Sequence, residues 1–400
     1  MKKEQAVLLK LIGFSSMTDT YKDVNWEEVY SEAVSQSVSL LAFDSAAAFK
    51  NEMGEAVYNL WFKTVLKKLE KNAVVSASQK ELVRLLDTNG HRYAIIKGEA
   101  SAYFYEKPEM RILGDVDFLV EEDSRQAIKD LLIENGYRAF LEDHICHTVF
   151  AKPDAHLEMH FEVAGIPKGN TGEKIRAFLK NAVANAELKT IDTNSFFAVD
   201  DMSHGLILLL HKQHHLLGEG IGLRHLYDWA AFVNKTHSLS FWADEFIPFL
   251  KSIGLYDFMN VMTGLCCEYL GVSVPFWLIE NDKELLSLTM EDILSGGNFG
   301  RKDKERGRVG ILVSDRGKSG TKRSKLYYIC SAVSKAVKQK HPIVNKIKIL
   351  FPVLFAYRSL RYILLSAFGI RDSYIKLIPQ AEKRKALYSK FHIFEVTENE

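Results

Sequence analysis

Two aspartates separated by one apolar residue, Asp115 and Asp117, stand in the run GDVDFLV, residues 114–120. In an extended strand, residues two apart share a face and lie roughly 6.7 Å apart along it, so both carboxylates point the same way. Each raises the pKa of the other unless cations sit between them. Divalent metals usually fill that place, and hard oxygen donors select Mg²⁺ or Mn²⁺ over zinc. Farther along, Glu158 shares a strand face with His156, His160 and Glu162, so a neighbouring strand could bring a third carboxylate to the pair. Asp115, Asp117 and Glu158 together predict a two-metal site, with ions roughly 3.5–4 Å apart, suited to in-line phosphoryl displacement.

Upstream, Lys97-Gly98 falls between a short apolar strand and a helix start, where backbone amides and the helix dipole favour an anionic phosphate. Gly98 permits close approach, Ser101 offers a hydroxyl on the first turn, and Arg111 is placed to reach the same phosphate as a bidentate donor. The histidines His204, His211, His214, His215 and His225 cluster with Asp228. His211 and His215, four apart on a helix, could face one ion, but no Glu follows His211 as a zinc hydrolase would need. A helical wall over the cleft is the preferred reading, with Arg224 and Asp228 paired or touching substrate.

The elements that must hold these residues follow from periodicity. Residues 58–86 repeat Leu and Val at helical spacing, and Asp87-Thr88-Asn89-Gly90 supplies a turn before the strand 93–96. A short helix over 100–105 stopped by Pro108, a strand over 114–120, and a helix over 125–135 capped by Ser124 and ended by Gly136 come next. Residues 148–150 and 156–163 form a hairpin around Lys152-Pro153-Asp154-Ala155, followed by a helix near 171–186 and a strand over 196–199. Helices follow at 206–217, 223–232 and 258–270, then a long charged loop or hinge over 296–320 and further helix. The expectation is an α+β fold: a small mixed β-sheet core at 89–200, a helical N-terminal region at 1–88, a helical domain over the cleft at 201–295, and a basic loop with C-terminal helices at 296–400.

Composition sets the outer bounds. Hydrophobic residues at 47% and charged residues at 26% are globular values and exclude a disordered or collagen-like chain. Four irregularly placed cysteines make no disulfide framework or zinc ribbon, which predicts a reducing, cytoplasmic setting. The richest apolar run, 349–357, contains Pro352 and is closed by Arg358 and Arg361, so a soluble or at most peripheral protein is expected. The net charge of +1 hides a division: residues 301–348 carry 15 Lys or Arg against three acids, or +12, leaving −11 for the rest. A solvated face is the usual meaning of such a run; contact with nucleic acid or an anionic membrane surface is the second reading.

The run IIKGEASAYFYEKPEMRILGDVDFLV followed by LEMHF resembles the uncharacterised nucleotidyltransferase family of the DNA polymerase β superfamily. The likeness covers about residues 60–230, including Arg224-His225-Leu226-Tyr227-Asp228-Trp229, and less specifically FPVLFAYRSLRYILL near the C-terminus. It implies a nucleotidyltransferase fold, Mg²⁺ held by Asp115 and Asp117, and transfer of a nucleoside monophosphate from an NTP such as ATP to an acceptor hydroxyl, with Glu158 as third acid. Two departures stand out. The family more often has Asp at the third position, and the superfamily's usual Gly-Ser before the phosphate helix is here Lys97-Gly98. A non-catalytic nucleotide- or partner-binding protein on the same fold and an RNA-directed transferase are the competing functions.

Overall fold

A computed structural model describes residues 1–14, 23–142, 144–236, 238–313, 325–341, 343–369 and 371–392. Among these, seven strands form one mixed sheet: β1 (Ala94–Ile96), β2 (Val116–Leu119), β3 (Arg138–Phe140), β4 (His147–Lys152), β5 (Ala155–His160), β6 (Glu187–Ile191) and β7 (Asn194–Ala198). Their spatial order is β3-β4-β5-β2-β1-β7-β6. The centre decides the chemistry: β2 runs antiparallel to β1 and parallel to β5. Helices precede and follow the sheet, so the expected α+β class and flanking helical regions hold.

The alternation of β2 explains why it sits centrally. Val116 and Phe118 join Leu157 and Met159 of β5 in a core closed by Leu82 and Leu86 of the helix Glu55–Thr88 and by Ile128 and Leu132 of the helix Arg125–Glu134. Ala94, Ile96 and Leu119 belong instead to the larger core containing Leu206, Leu209 and Leu210 of the helix Asp201–Leu217. Asp117 therefore faces that second helix. The helix Glu55–Thr88 has 34 residues, about 50 Å at 1.5 Å per residue, and so backs the sheet while also reaching the N-terminal helices. Asp200 caps Asp201–Leu217 by accepting the Ser203 amide at 2.8 Å, which fixes where the histidine-bearing helix begins.

Several expected boundaries move. The helix after Lys97 spans Gly98–Ala102 and ends well before Pro108, so the proline does not stop it. Ser124 precedes Arg125–Glu134 but makes no side-chain cap. Gly136 does follow that helix, at φ +85°. The helix near 171–186 spans Gly169–Leu179. The supposed loop 296–320 contains a helix, Arg306–Val313, because Arg306 is buried in a two-bond pair with Asp292 (2.9 and 2.5 Å); residues 314–320 of that expectation lie outside the described residues.

Candidate active site

The strand register places the acids. Asp117 lies directly opposite Glu158 across the parallel β2–β5 pair, and Asp115 precedes β2 by one residue on the same face as Asp117. Ile96 pairs with Asp117, so the chain leaves β1 at Lys97 beside the same carboxylate. Lys97 adopts φ +54° and Gly98 φ +27°, a turn that a lysine enters only at a strain cost of about 1–3 kcal/mol. The turn delivers the Lys97 ammonium to Asp117 Oδ1 at 2.8 Å. His160 Nε2 meets the same oxygen at 2.8 Å and lies 3.4 Å from Glu158 Oε2.

These contacts split the acids electrostatically. Burial alone would raise the pKa of Asp117, but Lys97 and the His160 hydrogen bond outweigh it and hold the carboxyl well below its usual range. Asp115 goes the other way, pushed up to about 6 by burial and by the charges of Asp117 and Glu158. Burial opposes the charged forms of Lys97 and His160 as well, yet the acids around them keep both pKa values raised.

A cavity of about 490 Å³ brings together Lys97, Gly98, Ser101, Arg111, Asp115, Asp117, Glu158, His160, Arg224 and Asp228; His204 is not on its lining. Collection is not the same as availability. Arg111 donates from Nε and a terminal nitrogen to the two oxygens of Asp228, at 2.8 and 2.9 Å, and Tyr105 donates to Oδ1 at 2.7 Å. Both partners of that ion pair are nearly inaccessible to solvent. The expected phosphate clamp is thus a buried structural fork, and the pairing of Asp228 with Arg224 is replaced by one with Arg111. Arg224 instead donates to the Ile112 carbonyl at 3.2 Å, and its Nε is buried without a partner. Ser101 Oγ, His147 Nδ1 and His160 Nδ1, on residues that line the same cavity, are likewise buried and unsatisfied. Buried polar atoms in native folds are seldom left so, and their concentration here marks a place built for a polar ligand.

Residues 22–271 match the family model described as uncharacterised nucleotidyltransferase. The chain belongs to that family. The match extends the likeness beyond residues 60–230 at both ends, and membership carries nucleotidyl transfer as the general activity. No curated protein matches the sequence.

The carboxylates of Asp115, Asp117 and Glu158 offer hard oxygen donors of the kind divalent cations take. His147, Glu158 and His160 also bring ligand atoms within 4.8 Å of one another, a set whose two imidazoles suit transition metals such as zinc better than Mg²⁺. Sequence reasoning missed His147, although the hairpin turn at 152–155 already implies its pairing with His160. It also missed Lys68 and Lys71, which reach the cavity from the helix Glu55–Thr88, and Arg301, which enters from beyond the helical domain. Lys212, too, is buried against the cavity, its pKa drawn down to about 8 by burial.

Four of the five histidines, His211, His214, His215 and His225, line the cavity. His211 and His215 have ring centroids 4.3 Å apart and His211 and His225 5.6 Å, and burial holds all three below their ordinary pKa. His204 lies behind the wall, stacked on Phe104 at 4.8 Å, with its pKa pushed down to about 3 by burial and by Lys212. The unfolded chain binds that proton near 6.5, so His204 contributes stability that is complete above 6.5 and lost as pH falls toward 3. His204→Phe is therefore expected to flatten the fall of the urea midpoint between about pH 7 and about pH 5; an unchanged slope contradicts a neutral buried His204.

Proposed function

We propose that this protein transfers a nucleoside monophosphate from an NTP to an acceptor hydroxyl, using Asp115, Asp117 and Glu158 to hold divalent metal. The observation that carries the reading is the convergence of three carboxylates, one of them paired with a lysine and a histidine, in a cavity with unsatisfied polar walls. Divalent ions would supply charge neutralisation along the transferring phosphate and its leaving group.

The chain's own groups divide the remaining work. The acceptor oxygen attacks the α-phosphorus, the bond from that phosphorus to the bridging oxygen breaks, and pyrophosphate leaves. Glu158, half-exposed at the cavity, takes the hydroxyl proton, and His160 at 3.4 Å orients it. Lys97 holds the charge of Asp117 in place. With Arg111 committed to Asp228, triphosphate binding falls to Lys68, Lys71 and Arg301, cations on the cavity lining that are not locked in buried ion pairs, while Gly98 lies at the turn beside Asp115 and Ser101 lines the same cavity from the helix that follows. The wall of neutral imidazoles excludes water and offers stacking surface.

The test is to incubate the protein with Mg²⁺ or Mn²⁺, each α-labelled NTP and a cell extract, and to follow which molecular class acquires label. Metal-dependent NTP binding with no labelled product and no released pyrophosphate would mark a nucleotide-binding protein on this fold instead.

A further inference from the structure

The helix Leu350–Ala367 is long and apolar enough to cross a membrane by length and composition, yet only 6% of it is buried in the protein. Unlike a soluble surface helix, it is apolar on its outer face as well as its inner one. The inner face carries Phe351, Leu354, Phe355 and Tyr362 packed against the core, and Arg358 meets His341 Nε2 at 3.3 Å. The outer face, stepping by three and four residues, presents Val353, Tyr357, Leu360, Ile363 and Leu364 to solvent, continued by Ile349 (81% exposed) and Phe368 (74%) at the ends. Such a contiguous apolar stripe marks an interaction surface.

Charge identifies what covers it. Residues 316–371 contain 13 Lys or Arg and no Asp or Glu. Arg361 on the helix itself, and Lys338, Lys340, Lys348 and Arg371 in the segments flanking it in sequence, are exposed. A second copy of the chain would bring like charges together. Spanning a bilayer would strip Arg361 of water and tear the inner face from the core. Nucleic acid would answer the charge and leave the apolar stripe wet. A bilayer surface with anionic headgroups answers both.

We infer that the face of Leu350–Ala367 lies in the headgroup region of an anionic membrane, holding the transferase at a lipid surface. The inference is independent of the reaction. Full-length protein is sedimented with vesicles of phosphatidylcholine alone and of phosphatidylcholine mixed with phosphatidylglycerol. Binding at least about tenfold stronger to the anionic vesicles, weakened by salt, is expected. Leu360→Glu with Ile363→Glu should lower that binding about tenfold while leaving the unfolding midpoint unchanged, since both side chains are exposed. Equal binding to the two vesicle types, undiminished binding by the double variant, retention through alkaline carbonate, or a solution dimer dissolved by the same substitutions would overturn the inference.

Discussion

Asp117→Asn should lower nucleotidyl transfer by about 10²–10³-fold, the scale on which loss of one preorganised electrostatic partner acts in a buried site. The substitution also leaves the Lys97 ammonium, nearly enclosed at the end of β1, without its carboxylate. Stripping one partner from a buried pair costs about 3–5 kcal/mol, and the remaining fields of Glu158 and Asp115 bring the loss here below that. Stability and catalysis can be separated by adding Lys97→Met. The double variant should recover most of the unfolding free energy and none of the activity. Recovered turnover in the double variant would mean that Asp117 serves only to hold the lysine.

The second large effect falls on Asp228. Its carboxylate accepts from Arg111 twice and from Tyr105 once, within a pair that is almost wholly buried. Asp228→Ala is expected to cost about 3–5 kcal/mol in urea unfolding, because Arg111 cannot lose its proton and keeps an uncompensated charge inside. Arg111→Met combined with Asp228→Leu should restore most of that stability, since apolar replacement of both partners removes the desolvation penalty along with the attraction. A small cost for Asp228→Ala would return Arg111 to the role of a free phosphate donor.

The fate of Arg111 shows where reading the chain stops. Asp115, Asp117 and Glu158 are legible because strand alternation assigns faces, and the parallel pairing of β2 with β5 then needs only a register. Arg111 was legible as a cation near the site but not as a spent one, since its partner lies 117 residues away on another helix. The same distance in sequence hides Lys68, Lys71 and Arg301, whose spacing speaks only of solvated helix or loop. Edge strands β3 and β6 escaped notice for a different reason: their side chains are mostly exposed, and no apolar alternation announces them. The charge of 301–348 is divided too, for Arg306 is consumed inside the fold and Lys302 by Glu32, while Lys338, Lys340 and Lys348, which precede Leu350–Ala367 in sequence, stay exposed.

The most direct measurement pairs α-labelled with γ-labelled NTP in the presence of Mg²⁺ and extract-derived acceptor, for the wild-type protein and Asp117→Asn. The predicted result is α label in the acceptor, γ label in pyrophosphate, and neither with the variant. Label from the γ-phosphate in the acceptor, or α-label transfer that survives Asp117→Asn, would contradict nucleotidyl transfer at this site.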